Sequence, residues 1–511
     1  RMRLRSPQRS EPAGVSGLTR GRPASRTPPA LQGWASPPRT TCRASRTPAS
    51  PWPEWPGRCR TSSEPPSRPP ARGAWARSRW RASRRSAERS WTGRWPQPRG
   101  SADPRPRELT RHVLRAGSAE AAADWARRIN DAARTGGRQR EASGGRPRRL
   151  LCVVNPRAGR GRGVDFRSEA APVLEAAGVQ FTLQETRAAG EATTIAREAD
   201  LGEVDGIVVC GGDGTFHEVV SGLVARPDAK DVCSRLPLSH VPAGSGNAIA
   251  FNVAAACDES ACASSAAYIA VKGSPKPMDA GCAWDRRGVP QPLVLMVEWA
   301  LIADIDFESE WMRGCCGGLR FQLEAVKQII CLRRYGAQLD YLPEDAERDA
   351  GFARSAPDEF FGIFAPTSAD VAGPPRSSLL PPASAFAEAP PEGWSRLEGN
   401  FNLCVGMLAT WIDAGSTPMA PDHRMGGGAM TLIHSLELSR WEVMSGFLAI
   451  DNARHLEDGR VRASRVRALR LKPDAAAPAA IGVDGEMVTP AGEDRLLEVV
   501  VYPAVLRLCL L

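Results

Sequence analysis

The chain has 511 residues, enough for several domains, and its 67 basic and 57 acidic side chains give a formal net charge of +10. The positive charge is concentrated in residues 1–100, which hold 22 Arg and no Lys against four acids, so the remainder is mildly acidic and we expect no nucleic-acid partner. No apolar run reaches the roughly 18 residues of a membrane span, and the 13 cysteines, which lack paired CxxC spacing, indicate a reducing compartment without a zinc or disulfide framework.

Residues 1–107 are rich in Pro, Ser, Arg and Trp, and the first 60 contain no Ile, Phe or Tyr, a composition that cannot bury a core. One interpretation is a disordered basic arm that binds an anionic membrane or nucleic acid, with Trp as anchors. The favoured interpretation is an incomplete or mis-framed reading, because Arg stands at position 1. We therefore expect a disordered or mis-framed tail over 1–107.

The next segment, 108–148, is predicted to contain one helix at 108–135, with Trp125 and Ile129 four residues apart on one face. This helix resembles the closing helix of a pleckstrin-homology domain, although the strands that should precede it are absent. A Gly/Arg linker follows at 138–149.

From residue 150 onward, short apolar runs alternate with helical patterns. This alternation predicts a parallel, Rossmann-like α/β catalytic domain over 149–275, with ligands at the carboxyl ends of its strands. The predicted strands are 150–154, 179–185, 205–210 and 237–241, and the predicted helices are 165–177, 191–199 and 215–224.

Glycine-rich loops follow three of these strands, at 155–163, 211–215 and 244–247. Glycine lets a backbone turn and approach a ligand closely, and free N–H groups at a helix start attract anionic oxygens. Because the loops would converge on one edge of a parallel sheet, they predict a phosphate site. The P-loop pattern GxxxxGK[ST] is absent, and GxGxxG is not followed by the usual ribose-binding acid.

Asp213 is the unusual residue of the central loop, because a carboxylate repels a phosphate. One hypothesis gives it a chemical task, either accepting a proton from an attacking hydroxyl or helping to place Mg²⁺. The other hypothesis is structural, with Asp213 capping the helix that follows.

Beyond residue 276 the pattern becomes mainly strands, which predicts a β-rich, sandwich-like lipid-binding domain over 276–511 that forms a cleft with the first. Segment 344–399, rich in Pro, Ala, Ser and acids, is expected to be a flexible insertion. An apolar helix at 441–452 could line a lipid groove, although its periodicity is more often found in a core. The predicted strands are 276–284, 292–303, 337–342, 360–365, 402–410, 429–436, 464–472, 480–483 and 495–510, and a further helical stretch covers 308–333.

Five motifs define the chemistry of the chain. They are Asn155-Pro156-Arg157, Gly211-Gly212-Asp213-Gly214, Pro242-Ala243-Gly244-Ser245-Gly246-Asn247, Ala303-Asp304-Ile305-Asp306-Phe307-Glu308-Ser309-Glu310 and Val483-Asp484-Gly485-Glu486. In order and spacing they resemble the sphingosine kinases, which belong to the diacylglycerol-kinase-like lipid kinases. The resemblance covers about 149–511 without the insertion, and segment 303–310 is the part that points to a sphingoid substrate.

The resemblance implies an enzyme that uses ATP and Mg²⁺ to phosphorylate the primary hydroxyl of sphingosine or a related long-chain base, giving sphingosine 1-phosphate. Asp213 would be the catalytic base, and Asp306 would meet the amino-alcohol head; no metal ligand is assigned. The implied nucleotide contacts are Asn155, Pro156, Arg157, Thr186, Arg187, Ala188, Ala189, Gly190, Gly212, Gly214, Glu218, Gly244, Ser245, Gly246, Arg313, Arg320, Asp484, Gly485 and Glu486. The implied substrate contacts are Gly211, Gly212, Asp213, Gly214, Asp306, Phe447, Ile450 and His455, although His455, like His217, lacks metal-ligand partners and also fits a structural role.

A carboxylate at position 306 has a chemical rationale. Sphingosine carries an ammonium near its hydroxyl, whereas diacylglycerol and ceramide carry no cation there, so a charge-assisted hydrogen bond of about 1.5–3 kcal/mol would favour sphingosine. The alternative is that Asp306 belongs with Asp304, Glu308 and Glu310 to a solvated acidic helix start. For the implied arginines the alternative is a solvated surface side chain, or for Arg313 an ion pair.

The chain departs from the pattern of the animal sphingosine kinases at three positions. Those enzymes have Ser in place of Gly211, often Ser in place of Met296, and His in place of Glu191. The stretch 313–320 is also one residue longer. These departures leave the phosphoryl-transfer residues intact but loosen the lipid assignment. Ceramide or diacylglycerol kinase activity is therefore one alternative, and a catalytically inactive lipid-binding or scaffold protein is another. We further expect a cytoplasmic protein that associates peripherally with membranes and that could form a homodimer.

Overall fold

The computed structural model describes residues 107, 116, 118–134, 147–160, 166–316, 319–344, 350–365, 376–413, 417–489 and 495–511. The predictions for residues 1–106, and most of the predicted linker, lie outside these residues. The first helix is α1 (Ala119–Arg134), and the Ser118 side chain accepts a hydrogen bond from the Ala121 N–H at its start. Most of the predicted helical residues before Ser118 also lie outside the described residues. Trp125 and Ile129 both remain about half exposed.

The remaining helices are α2 (Ala171–Ala176), α3 (Glu191–Glu198), α4 (Asp213–Val224), α5 (Ala229–Arg235), α6 (Ala248–Cys257), α7 (Ala263–Lys272), α8 (Leu301–Ser309), α9 (Arg313–Cys316), α10 (Leu319–Ile330), α11 (Ala350–Phe364) and α12 (Arg440–Ile450). The strands are β1 (Arg149–Val154), β2 (Gln180–Glu185), β3 (Gly206–Gly211), β4 (Leu238–Pro242), β5 (Ser274–Trp284), β6 (Pro290–Leu293), β7 (Met296–Ala300), β8 (Tyr335–Pro343), β9 (Ser395–Met407), β10 (Met430–Leu436), β11 (Arg462–Pro473), β12 (Ile481–Val483), β13 (Glu486–Thr489) and β14 (Leu497–Leu510). Among the described residues, none of the helices combines the length and the apolar character needed to cross a membrane.

The first four strands form the predicted parallel sheet, in the order β4-β3-β1-β2. Along β1, Leu151 and Val153 enter the core on one face, whereas Leu150 and Cys152 enter the core on the other, because successive side chains alternate across a strand. The order in which strands are added to the sheet reverses at β1, since β2 and β3 lie on opposite sides of this strand while all remain parallel. A crevice opens outside the carboxyl ends of strands at such a switch point.

The β-rich part is antiparallel and continuous with this sheet. Strand β14 pairs with β5 and β11, and at Leu508 it also pairs in parallel with Leu238 of β4. Val209 of β3, Tyr502 of β14 and Phe360 of α11 belong to the same buried cluster. The two predicted parts therefore share both hydrogen bonds and core.

Two secondary-structure predictions are wrong. Residues 360–365 do not form a strand but end α11, because a short apolar run cannot distinguish a buried helix from a buried strand. Residues 292–303 are not one strand, since β6 and β7 are separate and α8 begins at Leu301.

The expected flexible insertion at 344–399 is also partly wrong. Phe360 is fully buried, and its ring centroid lies 5.2 Å from that of Tyr502. The Tyr502 hydroxyl and the Ser377 hydroxyl both donate to Glu359. Helix α11 is thus part of the core, and residues 395–399 belong to β9.

Candidate functional site

Two glycine loops interlock at the carboxyl edge of the parallel sheet. A methyl group placed on Gly244 would lie 2.3 Å from the Gly212 Cα, and one on Gly212 would lie 2.9 Å from the Gly246 carbonyl oxygen. Asn247 closes the second loop, because its side chain both accepts from the Gly244 N–H and donates to the Gly244 carbonyl, each at 2.8 Å. Only glycine allows two backbones to approach this closely.

Steric crowding favours Gly over Ser at position 211. A Cβ atom at this position would lie 2.6 Å from the Cβ and Oγ1 atoms of Thr215, so a larger residue would displace Thr215. Thr215 in turn receives a hydrogen bond from Asn155 Nδ2 at 3.3 Å. The first and second predicted motifs therefore meet at the carboxyl ends of β1 and β3.

Asp213 is the first residue of α4, but its side chain binds a different helix. Its Oδ2 atom accepts from the Ala248 N–H at 2.8 Å, and its Oδ1 atom accepts from the Ile249 N–H at 3.0 Å. The carboxylate thus caps α6, whereas the alternative hypothesis placed the cap on α4. Each carboxylate oxygen can still accept a further hydrogen bond. The cap therefore orients the Asp213 carboxylate and leaves it able to bind another donor.

His240 of β4 lies beside Asp213 and was not singled out in the sequence. Its Nε2 atom lies 3.1 Å from the Gly211 carbonyl oxygen, and its Nδ1 atom lies 4.0 Å from Asp213 Oδ1. Complete burial lowers the pKa of His240, so the ring is neutral at pH 7. The sequence signal that could have identified His240 was a polar residue inside the apolar run of β4, just before the glycine loop at 244–247.

The loop 186–190, whose residues are implied nucleotide contacts, lies near α4. Thr186 is buried, and the other residues of the loop are exposed. Glu191 accepts hydrogen bonds from the Arg187 and Ala188 N–H groups, and Glu218 accepts one from the Ala192 N–H at 3.2 Å. Both acids therefore bind backbone N–H groups: Glu191 binds those of the loop, and the Glu218 side chain binds one at the start of α3.

The turn between β12 and β13 is a two-residue hairpin with positive φ at Asp484 (52°) and Gly485 (81°). The Asp484 carboxylate accepts hydrogen bonds from the N–H groups of Val294 and Leu295 at 2.8 Å and of Met296 at 2.9 Å. The predicted nucleotide contact of Asp484 stays a prediction, and its side chain already accepts these three backbone hydrogen bonds. Through them Asp484 fixes the position of the turn.

This turn connects the two predicted acids. A methyl group on Gly214, next to Asp213, would lie 3.9 Å from Glu486 Oε1, and one on Gly485 would lie 3.8 Å from Asp306 Oδ2. On the same side, His217 Nε2 lies 3.8 Å from Asp484 Oδ2 and 2.9 Å from the Pro292 carbonyl oxygen. The start of α4, the turn and Asp306 therefore lie next to one another, which is the arrangement expected of the predicted cleft.

Asp306 lies on α8, and the other three acids of segment 303–310 bind side chains of α10 and its flanking residues. Asp304 accepts from Arg333 at 2.8 Å and from the Tyr335 hydroxyl at 2.7 Å. Glu308 accepts from Arg333, Lys327 and Gln328, and Glu310 pairs with Arg320. The alternative of a uniformly solvated acidic helix start does not describe this segment, because these acids are tied to α10 and its flanking residues.

The implied arginines are placed differently from one another. Arg320 is buried, and its Nη2 atom lies 3.7 Å from Asp306 Oδ1. Arg157 is exposed beside Pro156, and its N–H donates to Asn155 Oδ1 at 3.0 Å. Arg313 lies on α9, and its side chain is outside the described residues. Arg320 therefore belongs to the acidic side of the cleft, whereas Arg157 belongs to the glycine-loop side together with the exposed residues Ser245 and Gly246.

The implied lipid-groove residues divide between two clusters. Phe447 of α12 packs with α8 and α10 on a small apolar cluster, whose buried members are Leu301, Ile305, Ala325, Ile329 and Val443. Ile450 belongs to the main core, and His455 is buried with its Nε2 atom 3.0 Å from the Met419 carbonyl oxygen. This hydrogen bond fits the structural alternative for His455, and its substrate contact stays a prediction.

The residues of the cleft fit a nucleoside triphosphate. The glycine loops and the start of α4 lie at the same edge of the sheet, and backbone N–H groups at a helix start bind anionic oxygens. Among the described residues, no group of three or more His, Cys, Asp or Glu side chains is arranged to hold a metal ion.

Comparisons with known proteins agree with this geometry. Residues 149–283 match the family model described as diacylglycerol kinase catalytic domain. The chain is 32% identical over 322 residues to sphingosine kinase 1 of Homo sapiens, covering 61% of this chain and 78% of the relative. It is 31% identical over 339 residues to sphingosine kinase 1 of Arabidopsis thaliana, covering 65% of each chain, slightly less than two thirds of that relative.

A further match is sphingoid long chain base kinase 4 of Schizosaccharomyces pombe, 34% identical over 166 residues, which cover 32% of this chain and 35% of the relative. Among solved structures, a putative diacylglycerol kinase from Bacillus anthracis str. Sterne has a TM-score of 0.47 at 17% identity, covering 71% of this chain and 97% of that chain.

Proposed function

The chain belongs to the sphingosine kinase family, and from this premise we propose that it transfers the γ-phosphate of ATP to the primary hydroxyl of sphingosine or a related long-chain base. The observation that carries the proposal is the shared cleft, in which the start of α4 faces Glu486 and the same turn faces Asp306. One acid thus lies among the glycine loops, and a second lies where a cationic head would enter.

In the proposed mechanism the lipid hydroxyl lies next to Asp213, which accepts its proton as the oxygen attacks the γ-phosphorus. The two amide hydrogen bonds from α6 hold the carboxylate in one orientation during this step. Glycine-loop amides and the start of α4 stabilise negative charge on the transferring group. Bound Mg²⁺ would supply further charge neutralisation on the phosphates.

For the nucleotide we propose contacts with the exposed faces of both glycine loops, Asn155 to Arg157, the loop 186–190, and the backbone of Gly485 with Glu486. These segments border the cleft, and their backbone or side chains are accessible. The roles of Arg313 and Arg320 are proposed on the family resemblance, and Arg320 would first have to exchange its contact with Glu310.

The substrate test uses the full chain and radiolabelled ATP against sphingosine, ceramide and diacylglycerol. We expect phosphorylation of sphingosine. Preference for either neutral lipid would reassign the enzyme to that substrate. Stabilisation by ATP without turnover on any of the three would support an inactive lipid-binding or scaffold protein.

Replacing Asp306 by Asn is expected to raise the KM for sphingosine about tenfold or more, because a charge-assisted hydrogen bond of about 1.5–3 kcal/mol is lost. The KM for ATP should change little, since Asp306 is proposed to bind the lipid head and is not among the proposed nucleotide contacts. Initial-rate measurements with each substrate varied in turn check the split. Glu308→Gln, on the same helix but bound to Arg333 and Lys327, is the control, and equal changes in both KM values would remove the reason for a cationic lipid.

We also propose that the protein acts at a membrane surface, which a lipid with a long apolar tail requires. Helix α10 exposes an apolar stripe with the spacing of one helix face, and α12 exposes two further large side chains. The stripe is Leu319, Leu323, Val326 and Ile330, and the side chains of α12 are Trp441 and Leu448.

A sandwich-like lipid-binding role for 276–511 is supported by the separate core cluster of that part. The expected homodimer stays a prediction.

A further inference from the structure

Two adjacent cysteines, Cys315 and Cys316, end the short helix α9 and have no part in the proposed reaction. Their Sγ atoms lie 3.2 Å apart, and Cys315 Sγ also lies 3.4 Å from the Met312 carbonyl oxygen. Cys315 is exposed and Cys316 is partly exposed. The pair therefore presents two thiols in contact with each other and within reach of a small reagent in solution.

More than half of the described cysteines are instead protected by burial. Burial raises the pKa of the Cys152, Cys233 and Cys404 thiols to about 12, which leaves almost no thiolate to react. Cys331 is exposed, as Cys315 is, but it has no cysteine beside it in the sequence. Cys331 is therefore the single exposed thiol against which the pair can be compared.

A disulfide between adjacent residues is strained, which makes it easy to reverse. Neighbouring Cα atoms are about 3.8 Å apart across a trans peptide, whereas most disulfides join Cα atoms about 4.4–6.8 Å apart. Strained or exposed disulfides have more oxidising potentials than structural disulfides and are the labile, regulatory class. A bond between Cys315 and Cys316 would therefore form under a peroxide and be broken again by a thiol reductant.

The pair lies inside a segment whose two ends are tied together. Glu310 precedes α9 and Arg320 follows it, and their side chains form an ion pair. The buried Arg320 guanidinium also lies 3.7 Å from Asp306 Oδ1. A change in the backbone of α9 would therefore act on the Glu310–Arg320 pair and, through Arg320, on the carboxylate that is proposed to bind the lipid head.

We propose that Cys315 and Cys316 form a reversible redox site, at which a peroxide oxidises the two thiols to a disulfide and so weakens binding of the lipid head. One thiolate attacks a peroxide oxygen, and the O–O bond breaks to give a sulfenic acid and hydroxide, which takes up the proton that the thiol released. The second thiolate attacks the sulfenic sulfur, the S–O bond breaks, and the departing hydroxide takes the second thiol proton. The two thiols are thus oxidised, and the peroxide is reduced to two water molecules.

Ring closure changes the backbone because neighbouring side chains on a helix do not face each other. A disulfide needs Cβ atoms about 3.5–4.5 Å apart, so residues 315 and 316 must leave the helical conformation and α9 unwinds. The oxidation itself is independent of the proposed function. Only the effect on lipid binding rests on the proposed function.

The chemical test maps the oxidised bond in the full chain after treatment with hydrogen peroxide. Trypsin cuts after Arg313 and Arg320 and releases residues 314–320, which contain both thiols of the pair and no other cysteine. We expect this peptide to lose two hydrogen atoms on oxidation and to regain them with dithiothreitol. An unchanged mass, oxygen addition that dithiothreitol does not reverse, or a bond from either cysteine to another peptide would overturn the proposal.

The kinetic test compares reduced and oxidised protein with sphingosine varied. We expect oxidation to raise the KM for sphingosine about tenfold, the effect of one misplaced charge-assisted contact, and dithiothreitol to restore it. Cys315→Ser and Cys316→Ser cannot form the ring, so each should keep the KM of the reduced protein and lose the response to peroxide. Cys331→Ser removes an exposed thiol outside the pair, and this control should respond as the wild type does.

The two measurements separate an error about the redox site from an error about the enzyme. If the disulfide forms but the KM for sphingosine is unchanged, or if both Ser variants stay sensitive to peroxide, the pair does not control lipid binding and the proposal is overturned. If the disulfide forms and sphingosine is phosphorylated in neither state, the proposed function fails while the oxidation site stands.

Discussion

Asp213→Asn is expected to lower kcat by a factor of roughly 10² to 10⁴, the usual contribution of a positioned general base. The amide has nearly the shape of the carboxylate but cannot take the proton of the attacking hydroxyl. Binding of ATP should persist, because the glycine loops and the start of α4 remain. Initial rates, together with thermal stabilisation by ATP, measure the two effects separately.

The variant also weakens the cap on α6, so a structural control is needed. Asp279 provides one, because its buried carboxylate accepts hydrogen bonds from the N–H groups of Gly428 and Ala504, both at 2.8 Å, away from the glycine loops. Asp279→Asn should lose comparable stability and keep the kcat of the folded fraction. If Asp213→Asn retains most activity, or loses no more than the control, Asp213 is not the base.

Asp484→Asn is expected to lower the free energy of unfolding by about 2 kcal/mol, because one buried N–H loses its acceptor and faces an amide donor instead. The Val294 N–H is the group affected, since it donates to Oδ2 at 2.8 Å while the other two bonds share Oδ1. The turn that presents Gly485 and Glu486 should then shift, and the KM for ATP should rise. Denaturant unfolding and initial rates are the measurements.

Asp285→Asn is the control for a turn carboxylate outside this hairpin, because Asp285 Oδ2 accepts from Arg287 Nε at 2.6 Å and this bond would be lost, while the backbone bonds to Oδ1 would remain. It should cost stability and leave the KM for ATP unchanged. A normal KM in Asp484→Asn would mean that the turn does not contribute to the nucleotide site.

The sequence was sufficient for the parallel sheet and for the edge at which its loops converge. Strand β3 reads as a continuous apolar run followed by glycines, and this signal is local. Predictions of this kind depend on periodicity and turn chemistry, which a single sequence displays.

The orientation of acids could not be obtained in the same way. Asp484 binds backbone groups about 190 residues earlier in the chain, and Asp213 caps a helix that begins 35 residues later. Both motifs were visible, but whether each side chain faces the ligand or the protein is decided by tertiary contacts. The same holds for residues 360–365, which are helical because they pack on Tyr502 of β14.

The continuity of β14 with both parts of the protein limits how substrate can enter. Strand pairing with β4 and β5 and a common core oppose a hinge motion in which the two parts would rotate as rigid bodies. In contrast, α8, α10 and α12 meet through only a small apolar cluster among the described residues. Separation of these helices would expose far less apolar surface than separation of the two parts, so a long-chain lipid would enter through a local opening of the helices.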